Sequence, residues 1–341
     1  MENTSLKKWH LPFLILLLVG TVFIIGKHQK KEAPFQKDEG VIFGTTYHTT
    51  YQFDRDLHDE IMETLQQVDN SLSMFNQQST LSRINANESS DTDSLLEEVF
   101  TLAQRISEET NGAFDVTVAP LVHAWGFGFK HDALPDSAQV DSLRQLIGWK
   151  HVSLENHQIK KDIPGVVMDF SAIAKGFGSD QVAKLFQQYG IQNYMVEIGG
   201  EVVTGGTNPK CELWRIGINK PETDSTLMDN KIEQVIQMDD CAMATSGNYR
   251  NFYYKDGRRI AHTIDPHTGY PVQHNILSST VIAPTCAEAD GFATSFMVLG
   301  LENAQEILSN NPQLKAYFIY TDENDEYQIW YSPSLKNNLA Q

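Results

Sequence analysis

Met168-Asp-Phe-Ser-Ala-Ile-Ala-Lys-Gly-Phe-Gly178, with the residues that run on to Ile198-Gly-Gly200, decides how this chain is organised. Val166 to Phe170 has the apolar, β-prone makeup of a short strand. A helix then begins near Ile173 and ends at Gly190, a residue free to take the left-handed turn that closes a helix. Tyr194 to Ile198 reads as a second strand, stopped by Gly199-Gly200.

Outside this stretch the same two periodicities recur in no fixed alternation. Val41 to Phe53 has strand composition, whereas Leu57, Ile61, Leu65, Val68 and Leu72 recur at helical spacing. A further helix runs from about Ser94 to Thr110, with Asn111-Gly112 as its stop. Phe114 to Phe129 is aromatic and interrupted by Pro120, Gly126 and Gly128, which predicts a buried wall and no regular element. Trp214–Ile218, Ile232–Met238 and Ser278–Ile282 read as strands, 286–299 and 302–309 as helices, and Lys315–Tyr320 as the final strand. There are no strict βαβ units and no internal repeat. The expectation is an α+β, or irregular α/β, fold.

The 341 residues suffice for one large core or two lobes. Leu11 to Gly26 is an uncharged apolar run between Lys7, Lys8 and Lys27, Lys30, Lys31. No small-x-small cleavage site follows it, so it reads as a retained signal-anchor, with a cleaved export signal as the alternative. The expected division is 1–31 as this export segment, 32–40 as a linker and 41–335 as the folded domain. The net charge is −18, and the basic residues of the leader make the remainder more acidic still. Such a surface repels nucleic acid, and a phosphorylated ligand needs a cation or helix dipoles to approach it. The three cysteines lack CxxC spacing, which excludes a cysteine zinc site.

Asp290 and Thr294 lie one turn apart on a predicted helix, so a carboxylate and a hydroxyl share a face. Both are hard oxygen donors of the kind magnesium takes. Such pairs are common, and spacing alone favours an acid that caps or decorates the helix and a threonine that packs. His262, near the turn Asp265-Pro-His-Thr-Gly269, suits proton transfer, although for one of 11 histidines the residues alone favour a structural bond to backbone. Asp169 and Ser171 at a helix start read as an anion station or as N-caps, and Lys175 reaches either a phosphate or solvent. GxGxxG, Walker A, GxSxG and HExxH patterns are absent from the sequence.

Taken in order, several segments resemble the ApbE family of FAD:protein FMN transferases. They are Gly44-Thr-Thr-Tyr47, Leu72-Ser-Met-Phe75, Ser82-Arg-Ile-Asn85, Gly112-Ala-Phe-Asp115, Asp169 through Gly176, Ile198-Gly-Gly-Glu201, Trp214-Arg-Ile-Gly217, Thr245-Ser-Gly-Asn-Tyr-Arg250, His262-Thr-Ile-Asp-Pro266 with Thr268-Gly-Tyr-Pro271, and Glu288-Ala-Asp290 with Ala293-Thr294. The likeness spans about Gly44 to Gly300. It implies a T-fold-related, two-lobed domain behind an N-terminal membrane segment. It also implies a Mg²⁺-dependent enzyme on the outer, periplasmic side of the cytoplasmic membrane. Such an enzyme splits FAD at its pyrophosphate, joins FMN to a Thr or Ser of a target flavoprotein and releases AMP. Targets in the family carry an Asp-x-x-Ser/Thr-x-Ala-like segment and belong to membrane electron-transport complexes.

By the same resemblance, Asp290, Thr294 and the carbonyl of Ala172 hold the metal. Phe43, Phe75, Ala113, Phe114, Asp115, Asp169, Lys175 and Ile264 meet FAD, and His262 assists removal of the acceptor's proton. Some positions depart from the commoner pattern: Phe43 stands where methionine is frequent, Ser171-Ala172 replaces Gly-Gly, Ala261 replaces serine, and Ala293 stands where some relatives carry an extra carboxylate. The competing readings are an FAD pyrophosphatase on the same site and a flavin-binding electron carrier without catalysis.

Overall fold

The computed structural model describes residues 12, 13, 15–19, 21, 33–127, 134–221, 231–248, 252–255, 258–324 and 326–340. Its centre is an eight-stranded sheet. In spatial order the strands are β1 (Phe35–Ile42), β2 (Thr45–Gln52), β5 (Tyr194–Ile198), β6 (Glu201–Gly205), β9 (Ala242–Gly247), β12 (Ile276–Ala283), β13 (Lys315–Thr321) and β14 (Tyr327–Tyr331). Every neighbouring pair is antiparallel. Three hairpins stand apart from it: β3 (Val152–Glu155) with β4 (Gln158–Lys161), β7 (Trp214–Asn219) with β8 (Ile232–Met238), and β10 (Phe252–Lys255) with β11 (Arg258–Ala261). The helices are α1 (His58–Leu72), α2 (Thr80–Asn85), α3 (Ser94–Glu109), α4 (Ala119–Ala124), α5 (Ser137–Arg144), α6 (Ala174–Gln188), α7 (Cys286–Leu299) and α8 (Leu301–Asn310). The fold is mixed α+β, as the irregular alternation of patterns predicts.

Two helices matter most. α7 is apolar on nearly every side and buries Cys286 through Ala293, as befits a helix inside the core. α6 crosses it at Gly176, where a Cβ would stand 2.4 Å from the Cys286 carbonyl oxygen, so only glycine admits this approach. Asp180 of α6 accepts the backbone N–H groups of Cys286 and Ala287, both at 2.8 Å, and thereby caps the start of α7. Ile106, Phe114, Phe170, Phe292 and Phe318 join α3, α7 and the sheet in one buried cluster. Tyr51, Leu57, Leu65 and Phe186 form another under β2 and β5. α3 closes as expected, with Asn111 and Gly112 at φ 51 and 84.

Several expectations need correction. The supposed linker already belongs to the sheet from Phe35, because β1 is an edge strand that pairs with β2, with Lys37, Glu39 and Val41 facing outward and Asp38 turned inward to the Tyr47 hydroxyl. The strand expected over Val41–Phe53 is in fact a hairpin turning at Phe43-Gly44, both with positive φ. Val166–Phe170 joins no ladder; the side-chain amide of Asn85 bonds both the N–H and the carbonyl of Met168 in place of a neighbouring strand. The aromatic wall contains α4, with Pro120 in its first turn, where the missing N–H costs nothing. Lys315–Thr321 is followed by β14, and Leu335 is fully buried beyond it, so packing continues to the end of the expected domain and past it to Leu339, which bridges to Ile236. Of the apolar leader, residues 12, 13, 15–19 and 21 are helical, and the rest of that expectation lies outside the described residues. Among the described residues no helix is long and apolar enough to cross a membrane.

Candidate active site

Where α6, α7, β6, β7 and β9 converge there is a cavity of about 680 Å³. Sites for small molecules span roughly 300–1,000 Å³. Ala113, Phe114, Asp115, Asp169, Ala172, Lys175, His262, Ile264, Asp290 and Thr294 all line it. The structure thus brings ten of the candidate residues together from four separate stretches of chain. Phe43 and Phe75 lie outside the lining. Phe43 sits at φ 51 in the β1–β2 turn and its ring packs where a Cβ of Gly178 would be. Phe75, on the turn after α1, is 66% exposed.

Each wall has its own local cause. Asp169 takes the Ser171 N–H and hydroxyl on Oδ1, at 2.8 and 2.5 Å, and donates its own N–H to the Val116 carbonyl at 2.7 Å. That Asx turn pins the Ala113–Val116 wall to the entrance of α6. The N-cap of α6 is Ile173, with no capping side chain, so Asp169 and Ser171 do not serve the helix in the way capping predicts. The Asp115 carboxylate accepts from the Thr117 N–H and hydroxyl and from the Trp149 N–H at 2.8, 2.6 and 2.9 Å. Burial raises its pKa, and these donors oppose the rise. Trp125 donates its indole N–H to the Gly269 carbonyl at 2.8 Å, tying the wall to the turn after His262. The His262 ring lies edge-on to Phe127, centroids 6.2 Å apart.

The electrostatic centre is a trio. The Lys175 ammonium lies 2.6 Å from Glu201 Oε1. Asp290, only 3% exposed, accepts the Gly176 N–H on Oδ2 at 3.1 Å. Burial raises the pKa of Asp290, against the pull of Lys175 and the Gly176 N–H. Burial and then the charge of Asp290 raise that of Glu201. For Lys175, burial favours the neutral amine, but Asp290 and Glu201 outweigh it and the net shift is upward. Two acids therefore share one cation, and Glu201 Oε2 is buried with no hydrogen-bond partner. One turn along α7 from Asp290, the Thr294 hydroxyl meets Ser246 Oγ at 3.0 Å.

This donor set fits a hard divalent cation: a buried carboxylate, a hydroxyl one turn away, Ala172 on the lining of the same cavity, and a shortage of positive charge. Among the described residues no three His, Cys, Asp or Glu side chains cluster for a metal. Phosphate oxygens and water would have to complete the shell, as magnesium sites commonly arrange.

The family model for ApbE matches residues 43–318. The chain belongs to the ApbE family. An FAD:protein FMN transferase of Escherichia coli K12 is 34% identical over 346 residues, covering 96% of this chain and 97% of that protein. One from Vibrio cholerae is 38% identical over 312 residues, covering 88% and 92%. The solved flavin transferase ApbE from Vibrio cholerae superposes with a TM-score of 0.80 at 36% identity, covering 90% of this chain and all of that one. The apo flavinyl transferase ApbE of Pseudomonas stutzeri also gives 0.80, at 29% identity. Membership explains why residues so far apart in sequence meet here, but it leaves Glu201 without a role. Its segment Ile198-Gly-Gly-Glu201 looks like a turn, and only the fold sets its carboxylate against Lys175. Thr245 and Ser246 enter only through the family likeness, because β9, buried over its first three residues and half-buried beyond, lacks an alternating pattern.

Proposed function

We propose that this chain is a metal-dependent FAD:protein FMN transferase. The observation that carries the reading is the meeting of Asp290 and Thr294 on one face of α7, Lys175 on the first turn of α6, and His262 around one cavity of dinucleotide scale. Ala172, Asp290 and Thr294 would hold the metal, and its chemistry is to neutralise charge on the pyrophosphate and on departing AMP. Lys175 adds a fixed positive charge beside the phosphates. Phe114, Ala113 and Ile264, nearly buried, offer apolar walls to the flavin. The acceptor hydroxyl oxygen bonds to the FMN phosphorus as the bond from that phosphorus to the bridging oxygen breaks. The hydroxyl proton passes to a ring nitrogen of His262, and AMP leaves with the bridging oxygen. Such a transfer rests on positioning and charge neutralisation.

The apolar leader and the flavin-transferase reading support a location at the cytoplasmic membrane with the catalytic part outside, facing an acceptor flavoprotein of an electron-transport complex; the flanking lysines, two before and three after, favour neither orientation. The test incubates full-length chain, FAD, Mg²⁺ and an acceptor protein bearing an Asp-x-x-Ser/Thr-x-Ala-like segment. A fluorescent, covalently modified acceptor and AMP in equal amounts support transfer. FMN and AMP formed equally well without acceptor would establish a pyrophosphatase instead. Stably bound flavin with no AMP would indicate a carrier.

A further inference from the structure

We propose that Glu201 is a positioning residue that holds the Lys175 ammonium away from Asp290, leaving that carboxylate open to a divalent cation. The inference rests on the transferase reading and goes beyond it to a residue outside the expected ligand set. Lys175 and Gly176 are consecutive on the first turn of α6, so the ammonium and the Gly176 N–H emerge beside the same two acids. The structure partitions them: the ammonium goes to Glu201 at 2.6 Å, and Asp290 receives the Gly176 N–H at 3.1 Å. One ammonium cannot neutralise two buried carboxylates. Whichever acid it leaves is the one a metal can use.

Glu201 is also poorly suited to a purely structural part. It is 3% exposed, yet Oε2 has no partner, whereas buried polar atoms that serve the fold are nearly always satisfied. Its placement is specific. Gly199 and Gly200, at φ +64 and +108, turn the chain so that β6 starts at Glu201, opposite α6. A Cβ on Gly199 would come within 3.2 Å of Lys175 Cδ, so the turn leaves room for the lysine stem as well. If Glu201 loses its charge, the ammonium turns to the remaining anion, and a metal must displace it.

The test titrates Mn²⁺ into metal-stripped full-length chain, following free Mn²⁺ by electron paramagnetic resonance. Wild type, Glu201→Gln, Lys175→Met, the double variant and Glu201→Asp are compared after circular dichroism confirms folding. The expected result is at least tenfold weaker binding in Glu201→Gln and less than twofold for the same change in the Lys175→Met background. Glu201→Asp should keep most of the affinity. Equal weakening in both backgrounds would reduce Glu201 to one more negative charge and overturn the proposal alone. So would unchanged binding in Glu201→Gln, or an aspartate variant as weak as the glutamine one. Wild type that binds no Mn²⁺ overturns the metal reading itself, and this inference with it.

Discussion

Replacing Gly176 with alanine probes the joint on which the site is hung. The added Cβ would lie 2.4 Å from the Cys286 carbonyl oxygen, 2.6 Å from its carbon and 2.9 Å from the Ala287 nitrogen. Ordinary contact begins near 3.4 Å, so α6 and α7 must separate by roughly 1 Å. The obstacle is backbone and has no rotamer to escape into. Overpacking of this kind costs about 1–3 kcal/mol. Alanine's advantage over glycine within a helix returns only about 0.5–1 kcal/mol. The net loss lowers the melting temperature by several degrees, at roughly 2–4 °C per kcal/mol for a chain approaching this size. Function should suffer more, because the same glycine donates to Asp290 and neighbours Lys175. A misplacement of about 1 Å in a catalytic site costs on the order of 100-fold. Thermal melts followed by circular dichroism and AMP release from FAD measure both effects. A Gly176→Ala protein with wild-type melting and wild-type turnover would refute the reasoning.

Asp290→Asn keeps an oxygen to accept the Gly176 N–H, so it should fold normally while metal-dependent AMP release falls about 100-fold or more; undiminished release removes Asp290 from the metal set. His262→Ala should slow flavin transfer about 10²–10⁴-fold with little change in FAD binding, seen by comparing transfer kinetics with flavin titration. His274 carries a pH effect. Its Nδ1 accepts the Ile276 N–H at 3.3 Å and its Nε2 bonds the Met297 carbonyl, an arrangement only the neutral ring satisfies. Burial lowers its pKa below the usual 6.5, so the unfolded chain takes the proton first. Its contribution to stability is whole above pH 6.5 and is lost as the pH falls below it. The melting temperature of wild type should therefore fall more steeply than that of His274→Gln between pH 7 and 5, and parallel curves would exclude the effect.

What could be read in the sequence follows from how each element meets water. α1, α3 and α8 each bury one stripe, so their apolar spacing shows through. β6 is buried along its whole length and β9 over its first half, so neither alternates, and β1 hides because its outward face mixes Lys37 and Glu39 with Val41 while Asp38 turns inward. α5 was readable in principle: Asp136 and Gln139 form a capping box, each side chain bonding the other's backbone N–H. The candidate site was legible through a family likeness more than through chemistry. Asp290 and Thr294 at one-turn spacing are common, and nothing local distinguishes a metal donor from a buried acid. Glu201 was illegible for a deeper reason, since its meaning lies in Lys175 on another element.

Anomalous diffraction from a crystal of the chain grown with FAD and Mn²⁺ tests the central claim most directly. The account predicts one strong peak within coordination distance, on the order of 2.1 Å, of Asp290, Thr294 and the Ala172 carbonyl, touching the pyrophosphate of FAD held in the same cavity. A dinucleotide seated elsewhere, or manganese bound with no contact to Asp290, would contradict it.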